Sequence, residues 1–139
     1  MMKVADPESW WHSPMRYLAT LLLLLSLASA CTRTSVEEQV PVLGSREFTP
    51  EKWAATTTVE RGQMLGSFFE QHPPGSLTAP EVKKLLGKPT GYYEYDENLA
   101  YFIGPPTVDS KYGKERMLVF ITDKRNGGID EIELVPPLR

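Results

Sequence analysis

A single cysteine, Cys31, closes an uncharged run, and the chain has no second cysteine with which to form an internal disulfide. Whatever fold follows must therefore be held by packing alone. From Tyr17 to Ala30 there is no charged residue, and Leu21 to Leu25 are five consecutive leucines. The run is still shorter than the ~20 apolar residues that span a bilayer. Small residues, Ala28, Ser29 and Ala30, stand immediately before Cys31. An apolar stretch of this length ending in small side chains is the pattern of an export signal, because bulky groups do not enter the signal peptidase site. Residues 1–30 are accordingly read as a signal peptide.

The sequence Leu27-Ala28-Ser29-Ala30-Cys31 resembles the lipobox of bacterial lipoproteins, in which the cysteine sulfur is lipidated through a thioether before cleavage. Ala28 stands where the motif usually has leucine. The alternative is an ordinary Ala-x-Ala cut that leaves a free Cys31. The resemblance implies that Cys31 carries palmitate-type acyl chains and that the mature chain begins there. Thr32 follows, and by resemblance to Gram-negative sorting the absence of Asp there favours the cell outer membrane, with the domain expected on its periplasmic side. Met1 to Pro14 carries Lys3, Asp6, Glu8 and Trp10-Trp11 and makes an atypical leader. Met15-Arg16 directly before the apolar run makes Met15 the expected translation start.

Beyond residue 30 there remains enough chain for one small domain. The net charge of −3 argues against nucleic acid as a partner, since phosphate binding requires clustered positive charge. Residues 31–52 contain Glu37, Glu38, Pro41, Gly44 and Pro50 without an apolar period, and read as a flexible tether. Residues 53–139 form the domain. Thr57 with Glu60, then Met64, Leu65, Phe68 and Phe69, predicts a capped helix that Pro73-Pro74-Gly75 stops. Thr78 with Glu81 opens a second helix bearing Val82, Leu85 and Leu86, closed by Gly87 and Pro89. Tyr92 to Tyr95 and Leu99 to Ile103 read as a hairpin. Met117 to Ile121, apolar on both faces, reads as a central strand. Asn126-Gly127-Gly128 turns the chain into Ile129 to Val135, with Ile132 and Leu134 inward and Glu131 and Glu133 outward. The expected fold is α+β, with two short helices on one face of an antiparallel meander of three or four strands. Its core draws on Leu65, Phe68, Val82, Leu85, Leu86, Leu118, Phe120, Ile132 and Leu134.

The stretch from Gly75 to Pro89, a capped short helix with Val82 and Leu85 followed by Gly87-Lys88-Pro89 and then Tyr93, Tyr95, Tyr101 and Phe102, resembles the SmpA/OmlA (BamE-like) lipoprotein family. The likeness covers about Arg61 to Val135. The family's Gly-Met-Thr lead-in to this helix is Gly75-Ser76-Leu77-Thr78 here, and its Gln-Gly-Asn segment ahead of the first helix is missing. The resemblance implies a non-catalytic protein-interaction module of the envelope, serving outer-membrane protein assembly or envelope integrity, with barrel-assembly components among its candidate partners.

The residues themselves offer little catalytic chemistry. His72, beside Pro73, is the one histidine after the signal, and zinc requires several ligands at set spacing. No metal or cofactor is expected. Glu94, Asp96 and Glu97 cluster on the hairpin tip, where a soluble turn is the ordinary reading and a carboxylate hydrolase the alternative. Lys111, Lys114 and Arg116 are interleaved with Glu115, unlike the uninterrupted basic clusters that recognise anionic lipid. Gly127-Gly128 is too short to cradle phosphate. If the helices cover the Leu118 and Phe120 face, the opposite face presents Met117, Val119 and Ile121 with Tyr101 or Phe102, depending on register. Left open, that stripe is a partner site; the alternative is that the tether or the Gly104 to Glu115 loop folds over it. A further alternative is an inhibitor that inserts Tyr92-Tyr93 into an enzyme, as β-lactamase inhibitory proteins of similar design do.

Overall fold

Helix ends in this chain are written in side-chain hydrogen bonds. In the computed structural model, which describes residues 33–138, Thr57 and Glu60 cap each other reciprocally, as do Thr78 and Glu81. The Thr78 N–H donates to Glu81 Oε2 at 3.0 Å. A third box of the same chemistry, Ser35 with Glu38, opens α1 (Val36–Gln39). The chain then passes through a 3-10 turn, Val40–Leu43, into α2 (Pro50–Ala55), where the Thr49 hydroxyl accepts from the Lys52 N–H. After these come α3 (Thr58–Gln63), α4 (Leu65–Gln71), a 3-10 turn at Pro74–Ser76 and α5 (Ala79–Leu86). Gly87 ends α5 at φ 77°, in the left-handed region that favours glycine.

The strands β1 (Leu99–Phe102), β2 (Met117–Thr122) and β3 (Ile129–Val135) form an antiparallel sheet in the order β1-β2-β3. The fold is α+β, as expected, and β2 is central. Leu99 faces Phe120 and Tyr101 faces Leu118, while on the other side of β2 Phe120 faces Ile132 and Leu118 faces Leu134. Because side chains alternate across a strand, these residues share one sheet face, and the helices pack on it. All the core residues named from sequence lie in or against this cluster.

Three expectations need correction. The single helix expected between Thr57 and His72 is broken at Met64 into α3 and α4, so the described residues hold five α-helices and not two. Residues 34–52 are not a tether: from Thr34 the chain belongs to the same packed unit as the sheet, and Val36, Val40 and Phe48 are core residues. The polar composition of the segment hid three well-spaced apolar anchors, each buried by tertiary contact. Phe48 sits edge-on to Phe68 with ring centroids 4.9 Å apart, and the Gln71 amide donates to the Phe48 carbonyl at 3.0 Å. Tyr92 to Tyr95 is not a strand either. Only Gly91 bridges to Ala100, after which Glu94, at φ 58°, turns the chain. The buried Asn98 replaces the missing ladder, donating to the Tyr93 carbonyl and accepting from the Thr122 N–H.

Two aromatic side chains finish α5. Trp53 Nε1–H donates to the Leu86 carbonyl at 3.0 Å, and the Tyr101 hydroxyl donates to the Gly87 carbonyl at 2.8 Å. Carbonyls at a helix C-terminus lack intrahelical partners, so these bonds satisfy donor and acceptor together inside the core. Burial also raises the Tyr101 pKa above the ordinary tyrosine value.

Candidate interaction surface

The face of the sheet opposite the helices is narrow. Met117, Val119 and Ala100 form its buried centre, packed by Tyr93, Phe102, Tyr112, Ile121 and Val135. Tyr93 and Tyr112 lie across it with ring centroids 4.8 Å apart. Gly91 makes this cover possible, since a Cβ there would fall 2.8 Å from Met117 Sδ. Of the two readings of this face, an open partner stripe or a face covered by the Gly104 to Glu115 loop, the second holds and the stripe is corrected. Tyr101 belongs to the helical face, and Met117 and Val119 are buried. Phe102 and Ile121 are half-buried at the margin. The long loop supplies the cover through Tyr112, a lone aromatic among Pro, Gly and charged residues, and that isolation was the available sequence signal.

The cover is a polar-aromatic network. The Tyr93 hydroxyl faces Glu133 Oε2 and the Tyr112 hydroxyl faces Glu94 Oε1, each at 3.4 Å. Burial, reinforced by the Glu133 carboxylate, pushes the Tyr93 pKa up to about 12. Lys111 Nζ sits 4.8 Å from the centre of the Tyr112 ring, and Arg116 is half-buried with its Nε–H on the Pro136 carbonyl at 2.8 Å. Two of the three cations of this loop are thus occupied within the fold. His72 ends α4 and packs its ring against Phe48 and Phe68. Gly127 accepts the Ala79 N–H through its carbonyl, tying the Asn126-Gly127-Gly128 turn to the start of α5. Among the described residues no group of three His, Cys, Asp or Glu side chains is placed to hold a metal ion, and no helix is long and apolar enough to cross a membrane.

What the surface does expose is divided between the two ends of the sheet. At the end where β1 and β3 finish, a Cβ on Gly62 would lie 2.7 Å from the Ile103 carbonyl oxygen, and one on Gly104 would strike Val59. Gln39 Oε1 takes the Leu138 N–H at 3.1 Å beside the same strand ends. Val42, 80 % exposed, and Val59, 42 % exposed, are the exposed large aliphatic side chains among the described residues, and they are on elements packed here. At the opposite end, about 20 Å away over a six-residue strand, is the tip that carries Tyr95. Tyr92 and Tyr95 are 56 % and 60 % exposed. Tyr95 lies under Lys124 Nζ at 5.6 Å, and Lys124 pairs with Glu97 at 2.9 Å, which lowers the Glu97 pKa. Of the Tyr92-Tyr93 pair, only Tyr92 is presented to solvent.

Cys31 and the whole signal-like run lie outside the described residues. Neither family profiles nor characterised proteins nor solved structures give a match to this chain, so its surfaces are read from their own chemistry.

Proposed function

We propose that the protein is a non-catalytic envelope lipoprotein of the SmpA/OmlA (BamE-like) kind, held on the periplasmic side of the outer membrane by acyl chains on Cys31 and binding protein partners through its domain. The observation that carries this reading is the placement of the one cysteine directly after an apolar run and Ala28-Ser29-Ala30. Each buried CH₂ of an acyl chain contributes ~0.8 kcal/mol, and two or more chains on one residue give stable anchoring. The capped α5 with its Gly87-Lys88-Pro89 exit fits the family resemblance. Tyr92 and Tyr95 supply the kind of side chain that anchors protein interfaces, a rigid apolar ring with a polar end.

Metabolic labelling with a palmitate analogue tests the anchor. The wild-type chain takes up label and fractionates with membranes, and Cys31→Ser loses the label and either leaves the membrane or accumulates unprocessed. An unlabelled wild-type chain would refute the reading. An enzyme inhibitor acting through the tip is the second reading, favoured by the exposure of Tyr92. It requires a Tyr92→Ala chain to lose inhibition of a cognate envelope enzyme while membrane association is unchanged.

A further inference from the structure

We infer that the end of the fold carrying Val42 and Val59 lies against the lipid surface, so that the tyrosine tip points away from the membrane. This builds on the acyl anchor at Cys31 and concerns how far that anchor lets the domain stand off. Val36 is 5 % exposed and belongs to the core. Only five peptide units join it to Cys31, and even fully extended these reach at most about 18 Å. A tether running to residue 52 would have reached about 70 Å. A domain of this size has a radius of gyration near 13 Å, so its own width exceeds the leash. Such a domain cannot turn freely above the bilayer, and the part nearest the attachment meets the headgroups.

The fold says which part that is. Val36 opens α1, a helix of about 6 Å, and its last residue, Gln39, holds the Leu138 N–H just past the end of β3. The attachment point is therefore at the strand-end pole with Val42 and Val59, and the Tyr95 tip is at the other pole. Val42 and Val59, left 80 % and 42 % exposed, are the large aliphatic side chains that this pole offers to the boundary between headgroups and acyl chains. Glu37 and Glu38 lie in the same segment and Arg46 is paired with Glu60 at 3.3 Å, so among the described residues this pole has no uninterrupted run of cations of the kind that makes a polybasic attachment, and the contact rests on the aliphatic side chains.

The test uses the full acylated chain in vesicles of phosphatidylethanolamine, with and without phosphatidylglycerol, containing lipids spin-labelled at the headgroup. With Cys31 acylated, Val42→Cys or Tyr95→Cys gives one reactive thiol for a fluorescent probe. The expected result is strong loss of emission for the Val42 probe and little for the Tyr95 probe in both lipid mixtures. Inserting about twelve Gly/Ser residues between Arg33 and Thr34 frees the domain, and the difference between the two probes then collapses. Equal quenching at the two positions, with flotation and acyl label intact, overturns the inference and leaves the anchor standing. A chain that neither floats nor takes up palmitate overturns the anchor itself.

Discussion

The two faces of the sheet are covered in different ways. On one, Phe48, Trp53, Phe68, Tyr101 and Phe120 form a chain of edge-on ring contacts between helices and strands. On the other, a small apolar centre lies under Tyr93 and Tyr112, whose hydroxyls point to carboxylates. The first face is deeply buried, and its Trp53 and Tyr101 polar groups end on helix carbonyls. The second is a thin layer with a part-exposed polar rim. Burial of apolar area dominates folding energy, so the helical face holds the fold and the tyrosine face closes it. The contrast also teaches that an apolar strand face need not be a binding site, since two tyrosines from flanking loops, Tyr93 and Tyr112, cover it.

The contrast can be broken by substitution. Phe68→Ala removes a fully buried ring and should cost about 3–5 kcal/mol, read from urea unfolding. Val40→Ala should cost about 2 kcal/mol from lost methyl groups and the resulting cavity; a value near zero would restore the tether in place of a core segment. Tyr112→Ala, on the thin face, should cost about 1–2 kcal/mol. Were it to match Phe68→Ala, the two faces would be equals. At the exposed tip, Lys124→Ala should change stability by no more than about 0.5 kcal/mol.

A pH titration sharpens the same point. A tyrosine whose pKa is raised in the fold is deprotonated first in the unfolded chain. Its contribution is therefore complete below the unfolded value near 10 and is lost as pH rises towards its folded value of about 12. Thermal melting should fall over that window, and Tyr93→Phe should flatten the fall. Tyr101, also raised by burial, retains the remainder. A wild-type melting temperature that is constant through the window would show that neither the Tyr93 nor the Tyr101 hydroxyl is withdrawn from water in the fold.

Much of the fold was legible because its signals are local. Thr57 with Glu60, Thr78 with Glu81, and Gly87 before Pro89 act within one helical turn, and β2 announced itself by being apolar at every position from Met117 to Ile121. Ser35 with Glu38 and Thr49-Pro50 were equally local, yet they sit among prolines and charges that mask single apolar anchors such as Val36 and Phe48. The partner stripe was not legible, because whether Met117 and Val119 are open depends on where Tyr112, carried by a distant loop, comes to lie.

By itself, then, the sequence determined the capped helices, the central strand, a fold without disulfides and the lone Cys31 behind an apolar run, since each is a property of neighbouring residues. Only the tertiary structure decided that the chain from Val36 onward is core, that the second sheet face is sealed, and that exposed valines and exposed tyrosines stand at opposite ends. These depend on contacts between residues far apart in the chain, where burial is set by what packs from outside the segment and not by the segment's own composition.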